Sequence, residues 1–187
     1  STDLDIRIAH LEYEGLRVTD GSAGHDGLVA CGAEYADRYG GCAPSDVPGV
    51  AHARSLFRAI GVDPTKTRPS SEALLRRALK GKPMPRVNDL VDAANWGSLE
   101  LLLPLGLYDA AKIDGAITLR HGTAEETYLA LNGREINVDG RYVLCDETGP
   151  FGTPVTDSVR TSVTGETTSA VLIPYALDEF DLGKEPG

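Results

Sequence analysis

The residue pattern changes character at Pro104, and no other feature limits the fold as much. Before Pro104, apolar residues recur three and four apart in runs that end on glycine. After it come short runs of β-branched and aromatic residues separated by Gly, Asn and Asp. The first pattern buries one side of a helix, and the second fits pleated strands. Strand-like alternation also opens the chain over residues 3–18, with Leu4, Ile6, Ile8, Leu11 and Tyr13 apolar. Helices grouped in the front half and strands in the back half predict an α+β fold.

The helices are expected over residues 28–41, 47–61, 71–81 and 87–103. Residues 21–28, with three glycines, and 43–50 read as loops. Ser45 or Asp46 is the expected cap before 47–61, and Ser70 or Ser71 the cap before 71–81. Gly61 and Gly81 are the stops. Strands are expected in AITLRHG (116–122), TYLALNG (127–133), RYVLCDE (141–147) and SAVLIPYAL (169–177), with a tight turn at Asn132-Gly133. The acidic tail 178–187 is expected to fray.

Net charge bears on partners. The chain carries −10, yet Arg54–Arg86 holds nine Lys/Arg against two acids, and the rest holds nine against 26. The acidic body argues against a generic nucleic-acid binder, and no DNA partner is expected, while the local basic stretch suits one phosphate-rich ligand or a solvated helix face. No apolar run reaches the roughly 18–20 residues a bilayer span needs, so no membrane partner is expected. The N-terminus lacks the basic and apolar regions of a signal peptide, which makes the cytoplasm the expected location. Three cysteines and four scattered histidines form no ligand cluster, so no metal or cofactor is expected.

Three stretches can carry chemistry. In DAANW, Asp92 and Asn95 share a helix face, either to tie down a neighbouring loop or to point into a pocket. In PLGLYD, Gly106 leaves room beside the backbone, and Asp109 suits an Asx-type turn. The stretch 149–168 reads as a long loop that concentrates Thr153, Thr156, Asp157, Ser158, Arg160, Thr161 and Thr164. Structureless loops of that length are uncommon unless they serve a function or are disordered.

RPSSEALLRR (68–77), LVDAAN (90–95), LPLGLYDxxKI (103–113) and DSVRTSVTxET (157–167) occur in this order. Together they resemble the B3/B4 domain of the phenylalanyl-tRNA synthetase β subunit, especially its free-standing bacterial relatives, over roughly residues 50–177. The resemblance implies one B3/B4-like domain: an N-terminal portion to about residue 45, a family core over 46–177 and the tail. Its sheet would be central and mostly antiparallel, flanked by helices. In the synthetase this domain is the editing module, which hydrolyses tyrosine mischarged onto the phenylalanine tRNA. By resemblance, Asn95 matches a pocket asparagine. Gly106 falls where the synthetase has histidine in Pro-Met-His-x-Phe-Asp. Pro174 falls where it has the glutamate that recognises the tyrosine hydroxyl, and Ala94 where it has threonine.

The expected function is binding of an aminoacyl-tRNA, with hydrolysis of a mischarged ester. The alternatives are an enzyme acting on a free amino acid or aromatic amine, and a non-catalytic RNA- or ligand-binding module. Asn95, Ser158 and Thr161 are the catalytic candidates. Arg86, Asp92, Trp96, Gly106, Asp157, Arg160 and Pro174 are the substrate-binding candidates, and Arg68, Arg76, Arg77, Lys80 and Lys82 those for RNA.

Overall fold

The computed structural model describes residues 6–177, so Leu4 and the tail 178–187 lie outside the described residues. The chain divides into two compact units. One takes residues 6–9, Thr19–Leu105 and residues 174–177, and the other takes His10–Val18 and Gly106–Ile173.

The first unit holds α1 (Ala23–Tyr39), α2 (Val50–Ala59), α3 (Ser70–Leu79) and α4 (Asp89–Leu101). Its core gathers Leu28, Cys31, Val47, Val50, Leu74, Leu75, Leu99 and Leu102. Each of the fully buried leucines contributes about 1.5–3 kcal/mol relative to exposure. Helix α1 starts inside the segment expected as a loop, because its glycines serve packing rather than turning. A Cβ on Gly24 would lie 2.5 Å from the Asp89 carbonyl oxygen, and one on Gly27 would strike the Trp96 ring. Helix α1 therefore approaches α4 as closely as backbone allows.

The expected caps are corrected too. Gly49, at φ 91°, precedes α2 without any side-chain cap, while Pro44–Asp46 forms a turn of 3₁₀ helix. Helix α3 begins at Ser70 itself behind Pro69, again uncapped by a side chain. Pro69 fixes the backbone entry there, so neither serine is needed as cap. Helix α4 is capped by Asn88, whose Oδ1 accepts from the Val91 N–H at 2.9 Å. It ends on Leu102, which adopts φ 53°. Among the described residues no helix is long and apolar enough to cross a membrane.

The strands are β1 (Ile6–Ile8), β2 (Leu11–Tyr13), β3 (Leu105–Asp109), β4 (Thr118–His121), β5 (Thr127–Leu129), β6 (Glu135–Asn137), β7 (Tyr142–Asp146), β8 (Gly149–Gly152) and β9 (Ala170–Leu177). In the second unit β4, β7 and β8 form an antiparallel sheet, and β5 and β6 a hairpin closed at Asn132-Gly133, with Gly133 at φ 78°. Tyr128, Ala130, Val138, Val143 and Cys145 form a core cluster in this unit. Strand β9 serves both units. Its first half pairs antiparallel with β2 in the second (Leu11 opposite Leu172), and its second half with β1 in the first (Ile6 opposite Leu177). Strand β3 also pairs with β9. The fold is α+β, and the expected strands after Pro104 are joined by β3, β6 and β8.

Candidate functional site

In the second unit the stretch expected as a free loop is bonded along its whole length. Strand β8 absorbs its first four residues. Thr153 then closes a turn, its Oγ1 accepting from the N–H groups of Val155 and Thr156 at 3.2 and 3.1 Å. Leu131 N–H donates to the Asp157 carbonyl at 3.0 Å and Val159 N–H to the Leu129 carbonyl at 2.9 Å. Residues 157–159 thus lie along the continuation of β5. Farther on, Asp109 N–H donates to the Thr161 carbonyl at 2.9 Å, and Thr167 Oγ1 donates to Asp109 Oδ2 at 2.7 Å. Asp109 also makes the expected Asx turn, accepting from Ala111 N–H at 3.1 Å.

Arg160 is part of this bracing. Its guanidinium grips Asp146 with two bonds of 2.8 and 2.9 Å, donates to the carbonyls of Lys112 and Gly149, and lies 5.8 Å from the Phe151 ring centre. The Asp146 side chain is fully covered. Burial works against its charge, but the Arg160 hydrogen bonds and neighbouring N–H donors hold the carboxyl below the usual range. Two planar forks paired this way fix position as well as energy. Ser158 is buried, and its Oγ accepts from Arg160 N–H at 3.1 Å. Thr161 is fully buried, and its Oγ1 has no hydrogen-bond partner.

The space beside Gly106 is filled from within the strand. Residues 106 and 108 point to the same side of β3, and the Tyr108 ring leans back over Gly106. A Cβ built on Gly106 or on Gly152 of β8 would strike the phenol oxygen. Tyr108 is fully buried, packs edge-on against Phe151 with ring centres 5.0 Å apart, and donates to Asp157 Oδ1 at 2.5 Å. Asp157 keeps part of its surface open, yet protein atoms crowd its carboxyl. Burial pushes it up to about 7, against the lowering effect of the Tyr108 hydrogen bond.

The first unit holds the other candidates. Asp92 is fully buried at the start of α4; its Oδ1 accepts from Val87 N–H at 3.0 Å, and its Oδ2 has no partner. Asn95 is half-buried one turn on, beside Ala94, and Trp96 is 39% exposed over Gly27. Arg86 is exposed and donates to the Asp20 carbonyl at 3.0 Å; Pro174 is buried in β9. Of the basic stretch, Arg54 turns inward to the buried Glu72 with bonds of 2.7 and 2.8 Å, and Arg68 stands 3.8 Å from the same acid. Arg77 donates to the Pro83 carbonyl, Arg76 is half-buried, and Lys80 and Lys82 are exposed. The three cysteines are free thiols. Burial raises Cys31 to about 11 and also raises Cys145, so neither is a thiolate at neutral pH.

The profile of the B3/4 domain family matches residues 52–182. The chain belongs to the B3/4 domain family. Its sequence is similar to the phenylalanine–tRNA ligase β subunit of Brucella abortus (strain 2308), at 37% identity over 113 residues, 60% of this chain and 14% of that subunit. The corresponding subunit of Streptomyces avermitilis is 34% identical over 93 residues, 49% of this chain and 11% of that subunit. Among solved structures, an N-terminal fragment of the phenylalanyl-tRNA synthetase β subunit of Pyrococcus horikoshii is similar at 16% identity and a TM-score of 0.40. That match covers 47% of this chain and 34% of the fragment. The chain thus spans about 14% of the length of the first curated relatives it matches.

The B3/4 match takes in Asn95, Gly106, the 153–167 stretch and Pro174. The catalytic candidates divide between the units: Asn95 belongs to the first, Ser158 and Thr161 to the second. Sequence reasoning missed that the Tyr108 ring fills the space beside Gly106. The signal was present, since an aromatic residue two positions from a strand glycine leans into the gap that glycine leaves.

Proposed function

We propose that this B3/4 chain binds the aminoacyl end of a tRNA and hydrolyses the ester of a mischarged amino acid. The family match over residues 52–182 carries this reading. The names of its relatives, which are tRNA ligase subunits, support it. In this reading the exposed Arg68, Lys80 and Lys82 meet phosphates, together with Arg76 and Arg77. Ser158 and Thr161 position water, and Arg160 holds the stretch that carries them. Pro174 presents no hydrogen-bonding side chain, so the reading does not extend to selection of tyrosine through its hydroxyl.

The test uses unfractionated tRNA acylated chemically with a mixture of radiolabelled amino acids, so that mismatched amino acid–tRNA pairs are present. Label is expected to be lost faster than in buffer, and binding is expected to weaken with salt, log K falling linearly with log[salt]. Charged tRNA that neither binds nor loses label faster than in buffer sinks the reading. A second reading, an enzyme on a free amino acid or aromatic amine, is favoured by the net charge of −10. Its signature is a thermal shift with the free compound that tRNA does not alter.

A further inference from the structure

Asp157 differs from Asp109 and Asp146, two other acids of its unit, in how its two oxygens are used. Oδ1 accepts the Tyr108 phenol at 2.5 Å, while Oδ2 takes no hydrogen bond from the described residues. Asp109 and Asp146, by contrast, have both oxygens engaged by neighbours. The main chain of Asp157 is pinned on two sides, by the Leu131 N–H on its carbonyl and by a bridge to Gly152. The phenol that aims the carboxyl fits only because Gly106 and Gly152 both lack a Cβ. The result is a carboxyl of fixed orientation with one oxygen held and the other without a hydrogen bond from the described residues.

Building on the ester-hydrolysis reading above, we propose that Asp157 is the proton acceptor of the reaction, with Tyr108 as the residue that positions it. The water oxygen bonds to the ester carbonyl carbon as one water proton passes to Asp157 Oδ2. The tetrahedral adduct then collapses, breaking the bond between the carbonyl carbon and the ribose oxygen, and Asp157 returns the proton to that oxygen. The products are uncharged tRNA with its ribose hydroxyl restored and the free amino acid, whose carboxyl releases the second water proton to solvent. A carboxyl raised to about 7 suits this task, because a base works best when its pKa lies near the working pH. The titratable groups facing Asp157 are the phenols of Tyr108 from β3 and Tyr128 from β5, and β8 presents Gly152, which has none.

Asp157→Asn keeps the shape and an acceptor for Tyr108 but takes up no proton. With the charged tRNA mixture, hydrolysis is expected to fall roughly 10²–10⁴-fold while binding of the charged tRNA is unchanged. Tyr108→Phe removes a hydrogen bond that favours the charged carboxylate. The rising limb of its kcat/KM profile is therefore expected to move to higher pH, whereas a purely structural Tyr108 would change the melting temperature and leave that midpoint in place. The wild-type profile, corrected for hydrolysis in buffer, is expected to rise through a midpoint near 7. A flat wild-type profile, an unmoved limb in Tyr108→Phe, or Asp157→Asn activity within about tenfold of wild type would each overturn the assignment while leaving ester hydrolysis standing. A wild-type protein that hydrolyses no charged tRNA overturns the parent reading and this assignment together.

Discussion

A methyl group at Gly106 or Gly152 would meet the Tyr108 phenol. Gly106→Ala and Gly152→Ala are each expected to lower stability by about 1–3 kcal/mol, the usual range for overpacking. Thermal melts report this, at roughly 2–4 °C per kcal/mol for a chain of this size. An unchanged melt would mean that the phenol moves aside freely. Asp157 adds a pH dependence. The native carboxyl holds its proton up to about 7, while the unfolded one releases it near 3.8. Between those values the native state binds more protons, so this group's contribution to stability falls as pH rises and levels off above about 7. Asp157→Asn is therefore expected to gain on wild type in denaturant titrations between about pH 4 and pH 8. Parallel stability curves would contradict a buried, proton-holding carboxyl.

At the scale of elements, the helices are positioned by a few polar contacts as much as by their apolar faces. Glu72 sits buried in the first turn of α3, where Arg54 of α2 pairs with it in bidentate fashion. Glu72→Ala leaves Arg54 partly buried and unpaired. The expected loss is about 3 kcal/mol, at the low end for a buried pair because Arg54 retains some exposure. A urea midpoint shifted by only a few tenths of this would mean that water replaces the acid. The apolar spacing makes this helix legible in the sequence, with Glu72 near its start. That Glu72 takes Arg54 away from the basic face is not legible there, because the pairing joins residues 18 apart. The start of α1 is hidden for a similar reason. Gly24 and Gly27 look like turn residues in sequence, and only the proximity of α4 shows why a helix carries them.

For the whole molecule, charge and chain path matter most. If the basic stretch meets RNA, Lys80→Ala combined with Lys82→Ala is expected to weaken binding of charged tRNA. The salt slope is expected to become shallower by about one for each of the two lysines that neutralises a phosphate. An identical slope would place RNA elsewhere or nowhere on this chain. The change of period at Pro104, the glycine stops and the Asn132-Gly133 turn determined the α+β class and most element positions, since each is a local property of backbone and side-chain burial. The motif order pointed to the B3/4 family. Tertiary structure alone decided that the Tyr108 ring fills the gap at Gly106, that Arg160 braces Asp146, and that β9 pairs with β1 and β2 on successive halves. Those facts depend on which distant residues become neighbours. Here the hydrogen bond that aims a carboxyl joins positions 108 and 157 across the second unit, a separation that local sequence pattern does not encode.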